Sequence, residues 1–308
     1  MNSSDAAIFD VSDYHGNFCT GGKCSLPAAP GIRFESVPIP LPVTPSFADW
    51  LKEKMHSQKV QKPPMSSRCF EVDGAAVVIT NPRFGQSLKE LVGEILETLG
   101  IDQKNAGVEL VKMYIETSTS DQQYVSAETD MPPNQFGFLE IQFPSDFTGG
   151  SHAIRDNGFQ SNFILGADDG SCSHQCYFMA WYVGCEHDRQ PVASGCRLIA
   201  TYSLLWKGDT APPRAPSMSA VDRVAKGLAG SDKRFAFFLQ REGLDHGLQR
   251  LASFQDLQGS DRRLYGLLKA ASERMEHNTP GDGLELLICT VATVEEYNTV
   301  DALSHACV

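Results

Sequence analysis

The chain has 308 residues, of which 42% are apolar, 21% charged and 9% aromatic, a globular composition that excludes disordered, collagen-like and coiled-coil classes. Lysine and arginine total 26 against 38 acidic residues, a formal charge of −12, which argues against binding nucleic-acid phosphates or an anionic membrane surface. No apolar run reaches the roughly 20 residues of a spanning helix, the opening MNSSDAAIFD has no export-signal pattern, and nine scattered cysteines read as reduced thiols of a cytoplasmic protein.

Residues 1–47 are rich in Gly, Pro and Ser without helical period, and read as an extended arm laid over a core. Cys19 and Cys24 in CTGGKC could hold zinc with two further ligands, but no second pair lies nearby, so they read as two thiols in a glycine turn. Ser46 is a plausible N-cap for a short helix over FADWLKEKM. Ser87 with Glu90 forms a capping-box pattern, after which Leu88, Leu91, Val92, Ile95, Leu96 and Leu99 recur at helical spacing and Gly100 ends the helix. One face of that helix is expected to be buried against a sheet.

From Val108 the pattern changes to short runs of β-branched and aromatic residues separated by Gly, Pro, Asn and Asp: VELVKMYIE, QYVSAE, FGFLEIQF, SHAIRD, FQSNFIL, QCYFMAWYV and RLIATYSLLW. No helix-length segment separates them, which excludes a βαβ sheet and points to a sandwich, jelly roll or barrel. After the loop GDTAPPRAPS, residues near 219–276 return to helical period, and LELLICTVATV reads as a last strand. The expectation is a single domain over residues 1–308. It comprises an N-terminal arm and helices over 1–104, a β-core over 105–208, and a helical region with a final strand over 209–308.

No phosphate loop, GxSxG elbow, HExxH or dinucleotide fingerprint is present. Among eight histidines, His187 stands out: it lies in the expected loop CEHDRQP, ten positions before Arg197 at the head of the next strand. A strand-edge imidazole can ligate a metal, and an arginine further along can fork onto a carboxylate. A surface histidine followed by a solvated arginine is the alternative reading of that spacing.

The segments FGFLEIQFPSDFTGG and AWYVGCEHDRQPVASGCRLIATYSL resemble the prolyl-4-hydroxylase-like branch of the 2-oxoglutarate/Fe(II)-dependent dioxygenases, particularly its fungal-type members. The resemblance extends upstream through VELVKMYIE and more faintly to FCTGG and KPPMSSRCFEVD, about residues 17–208. It implies a mainly β fold with flanking helices around a double-stranded β-helix (jelly roll) core. It also implies Fe(II) and 2-oxoglutarate as cofactors, with iron on an HxD pair and a distal histidine. His187 matches the distal ligand and Arg197 the residue that pairs with the 2-oxoglutarate carboxylate, while Tyr114 lies on a strand that contributes to that pocket.

The chain departs from the family at the HxD motif, whose positions fall on Ser126 and Glu128. No shift recovers a histidine, because residues 57–151 contain none. His152, after Gly149-Gly150-Ser151, is the replacement imidazole that the resemblance suggests, giving His187, Glu128 and His152 as a rearranged ligand set; a polar turn residue is the other reading. Three functions follow: oxidation of a small metabolite at a modified iron site, a redox-neutral isomerisation, cyclisation or elimination with His187 and Glu128 as acid and base, or a non-catalytic subunit. Homodimerisation and pairing with an active relative both stay open.

Overall fold

The computed structural model describes residues 9–10, 12–57, 69–118, 131–229, 257, 259–279, 281 and 283–285. The expected strands QYVSAE and LELLICTVATV, and positions Ser126 and Glu128, lie outside the described residues apart from Leu284 and Glu285. The chain divides into two compact units, residues 15–217 and residues 1–14 with 218–308.

In the first unit the strands run β1 (Cys19–Cys24), β2 (Ile32–Phe34), β3 (Val37–Pro38), β4 (Cys69–Asp73), β5 (Val77–Ile79), β6 (Ala106–Thr117) and β7 (Gln135–Phe143). They continue as β8 (Phe147–Gly149), β9 (His152–Asp156), β10 (Phe159–Phe163), β11 (Cys176–Tyr182), β12 (Glu186–Arg189) and β13 (Val192–Trp206). The larger sheet has the order β1-β11-β7-β13-β6-β4, with β8 joined to the start of β13; a second sheet has the order β10-β9-β12. Every pairing within these two sheets is antiparallel. Two facing antiparallel sheets, with β13 long enough to serve both β8 and the centre of the larger sheet, are the jelly-roll form of the double-stranded β-helix.

Alternation along each strand decides the two faces of the larger sheet. Met113, Ile115, Leu139, Ile141, Leu198 and Ala200 occupy one face, each no more than 1% exposed. The Phe84–Thr98 helix covers this face: Phe84 stacks at 6.1 Å on Phe143, and the Tyr182 hydroxyl donates to the Leu99 carbonyl at 2.7 Å. That helix begins three residues before the expected Ser87, and its N-cap Arg83 makes no side-chain cap bond. Apolar Phe84, buried against the sheet, sets the start, and burial outweighs a capping pattern worth about 1 kcal/mol. Likewise the arm is no mere extension. Its CTGGKC segment is the edge strand β1, with Cys24 opposite Cys176. Cys19 and Cys24 stand five positions apart on it, on opposite faces, so they share no metal.

The helix ends as expected at Gly100, where Ile101 N–H donates to Leu96 and Gly100 N–H to Glu97 at φ +78°, a left-handed cap that favours glycine. A Cβ there would run into the His15 carbonyl. Gly100→Ala is therefore expected to cost at least about 1–2 kcal/mol and to lower the thermal midpoint by several degrees. Gly85→Ala, inside the same helix with open space around the new methyl, is expected to raise it; circular-dichroism melts of the two variants check both.

The second unit pairs the Ser219–Leu228 and Gly259–Asn278 helices. Each carries an apolar stripe, Val221, Val224 and Leu228 on one and Leu267, Ala271 and Met275 on the other, all buried. Arg223 forks onto Asp13 at 2.8 and 2.9 Å, tying residues 12–14 to the first helix. Among the described residues, no helix is long and apolar enough to cross a membrane.

Candidate functional site

The other face of the larger sheet is polar to an unusual degree for a buried layer. By register it carries Glu116 on β6 beside Arg197 on β13, Tyr114 beside Ile199, and Thr201 between Lys112 and Glu140. Gln142 on β7 and Trp181 on β11 share this face. The smaller sheet packs its own charged face against it. His152 lies opposite Arg189 and Ile154 opposite His187 in the β9–β12 ladder, so all four side chains project to one side.

Two buried arginines are each matched by a buried carboxylate. Arg197 is fully buried; its Nε donates to Glu116 at 2.8 Å and its Nη1 to the Gly150 carbonyl at 2.7 Å. The Gly149-Gly150 turn makes this possible, since both glycines have positive φ and a Cβ on Gly150 would press against the guanidinium. The guanidinium also lies over the Phe147 ring, 5.5 Å from its centre. Arg189 donates from Nη2 to Glu140 and from Nη1 to the Tyr114 hydroxyl, which in turn donates to Glu140 at 3.1 Å. Burial alone would raise the Glu140 carboxyl, but the adjacent Arg189 cation prevails and holds it down at about 2. Burial pushes the Tyr114 phenol well up, so it remains protonated and available to donate.

Beside these pairs lies an aromatic cluster. The rings of His152 and His187 stand 5.5 Å apart at 66°, with Trp181 at 5.5 Å from the first and 5.7 Å from the second. His152 is 1% exposed, and neither of its ring nitrogens has a hydrogen-bond partner among the described residues. Burial, then the nearby Arg189 charge, pushes it down to about 3, so the imidazole is neutral and keeps a lone pair for a metal or a hydrogen bond. The other buried polar atoms of this unit without a partner among the described residues belong to the same interior: Gln142 Oε1, Trp181 Nε1, Arg189 Nε, Arg197 Nη2 and Thr201 Oγ1. Buried polar groups are almost always satisfied, so their concentration between the two sheets marks an interior suited to a polar guest.

Of the residues singled out in the sequence, His152 and His187 come together, while Tyr114 and Arg197 project into the same layer. Glu128 lies outside the described residues. The donor set suits a divalent transition metal in part: two facing imidazoles, one neutral and unpartnered, are the nitrogens such an ion takes. Among the described residues, no group of three or more His, Cys, Asp or Glu side chains is arranged to hold a metal, so a third protein ligand would have to come from elsewhere. For 2-oxoglutarate the fit fails as the side chains stand. Arg197 already has two of its three nitrogens bonded and its charge met by Glu116.

Arg189, Glu140 and Glu116 escaped the sequence reading. CEHDRQP, expected as a loop, instead forms the short strand β12, where Arg189, two residues on from His187, shares its face. Signals were present: Glu140 and Gln142 interrupt FGFLEIQF at alternate positions, and Glu116 and Lys112 flank Tyr114 at the same period. A buried strand with one polar edge is facing a site.

No family model and no curated protein matches the sequence. Solved structures to which the chain is similar include a Pseudomonas putida prolyl-4-hydroxylase, at 12% identity and a TM-score of 0.35 over 66% of this chain and 99% of that one. A Burkholderia pseudomallei oxidoreductase of the 2OG-Fe(II) oxygenase family has 14% identity and a TM-score of 0.31, over 54% of this chain and 81% of that one. A viral collagen prolyl hydroxylase from Paramecium Bursaria Chlorella virus-1 has 11% identity and a TM-score of 0.33, over 64% and 97%. The fold assignment rests on the strand order itself.

Proposed function

We propose that this oxygenase-like chain is an enzyme for a small polar metabolite, with a divalent metal, iron(II) foremost, held between the sheets by His152 and His187 and with Glu128 as the carboxylate ligand. The observation that supports this reading is the His152 imidazole: buried, neutral, facing His187, and without a partner on either nitrogen among the described residues. When bound, such an ion polarises an oxygen of the substrate. The chain's own groups orient that substrate. Arg197 Nη2 and the Thr201 hydroxyl offer donors, Gln142 Oε1 an acceptor, and Trp181 forms an apolar wall.

A redox-neutral reaction in the same interior is the second reading. One observation favours it: the arginine expected to anchor a keto acid is already neutralised by Glu116.

Anaerobic titration of the metal-free protein with Fe(II) or Co(II), followed by thermal melting and metal analysis, tests the proposal. One ion per chain and a raised midpoint are expected. His152→Ala and His187→Ala should each weaken binding by more than the roughly 100-fold typical of changes to groups behind a ligand, whereas exposed His174→Ala should not. Binding unaffected by either substitution, or no binding, would overturn it.

A further inference from the structure

We infer that Glu116 is a built-in occupant of the Arg197 anion site, so that the interior is closed to an external carboxylate at that point and selects uncharged polar ligands. The inference concerns Arg197 and Glu116 only, and so stands apart from the metal reading.

The argument begins with charge. Between the sheets lie two arginines and two glutamates, each pair in direct contact: Arg197 with Glu116 at 2.8 Å, and Arg189 with Glu140. All four side chains are under 10% exposed, and Arg197 is at zero. A lone guanidinium at such a depth would be strongly destabilising, and a carboxylate is its natural counter-charge. In this chain that carboxylate is covalently part of β6, present at an effective concentration that no dissolved acid matches. A second carboxylate entering the same place would meet a neutral pair, lose its hydration, and face the repulsion of Glu116.

What remains to Arg197 is a single buried nitrogen, Nη2, without a partner among the described residues; the Thr201 hydroxyl and the Gln142 amide oxygen on the same face of the sheet are in the same condition. These are single hydrogen-bonding groups with no net charge to offer. They fit a hydroxyl, carbonyl or amide of a neutral molecule. The Gly150 carbonyl on Nη1 strengthens the assignment, because with Nε on Glu116 it leaves Nη2 as the one nitrogen of this guanidinium without a partner among the described residues.

Truncation provides the test. Glu116→Ala removes a CH₂–COO⁻ group, the atoms of acetate, and leaves Arg197 without its counter-charge. The variant should melt below the wild type, and acetate should raise its midpoint by about 5 °C or more at concentrations near a hundred times the dissociation constant. The wild type should show no such rise with acetate or with 2-oxoglutarate in thermal melts, and no binding isotherm in calorimetric titration. Adding Arg197→Met to Glu116→Ala should abolish the acetate response. If Glu116→Ala does not fold, the wild-type titration still decides. Saturable 2-oxoglutarate binding to the wild type that is lost in Arg197→Met would overturn the inference, as would a folded Glu116→Ala protein indifferent to acetate. Metal binding through His152 is measured separately, so failure of one reading leaves the other intact.

Discussion

Arg189→Met is expected to destabilise the chain by about 3–5 kcal/mol, the usual consequence of leaving one member of a buried ion pair behind. Glu140 would then sit at 5% exposure with the Tyr114 hydroxyl as its remaining bonded partner among the described residues. The companion substitution isolates the cause: Arg189→Met with Glu140→Gln should recover most of the loss, because two neutral side chains replace two matched charges. Urea unfolding of the four proteins closes the cycle and gives the coupling energy directly.

The same pair imposes a pH dependence whose sign follows from the Glu140 carboxyl. Folded, it is held at about 2, below the 4.5 of an unperturbed glutamate, because Arg189 outweighs the effect of burial. A depressed carboxyl contributes stability that is present above the unfolded value and lost as pH falls toward the folded one. Wild-type stability should therefore fall between roughly pH 4.5 and 2. In Arg189→Met the sign reverses: burial now dominates, the carboxyl rises above its unfolded value, and stability declines as pH increases past that value. Melting curves across the acid range distinguish the two.

Arg197→Met is the second large effect, also expected at about 3–5 kcal/mol. The substitution strands Glu116, removes the bond to Gly150 and ends the stacking over Phe147. Arg197→Met with Glu116→Gln should again regain most of the loss. Arg197→Lys should regain little: an ammonium lacks the planar fork that meets a carboxylate and a carbonyl together. A lysine variant as stable as the wild type would show that charge alone, without the fork, is sufficient.

The β-core was legible because short runs of β-branched and aromatic residues, bounded by Gly, Pro, Asn and Asp, have the length and composition of strands. FGFLEIQF, QCYFMAWYV and RLIATYSLLW are the near-continuous apolar runs of a layer buried on both sides, and the strand order assembles them as a jelly roll. Element ends were less legible. Phe84, not the better capping residue Ser87, begins its helix, since a buried ring contact at Phe143 has no local signature. The site was legible by halves. His187 and Arg197 are marked by spacing and resemblance, and His152 by the absence of any histidine over residues 57–151 to replace the family's. Glu116, Glu140 and Arg189 were not, because their role depends on which strands become neighbours: Glu116 meets Arg197 across 81 residues of chain, and Arg189 meets Glu140 across 49. A charge in a β-strand announces that something must neutralise it, but only the fold says what.

A crystal of the protein prepared with Co(II), with anomalous differences collected at the cobalt edge, bears most directly on the proposal that the interior binds a metal. The arrangement of His152 and His187 predicts one dominant peak between the two sheets, about 2.1 Å from a ring nitrogen of each. A peak held by other residues, or a fully loaded crystal with both imidazoles unligated, would contradict it.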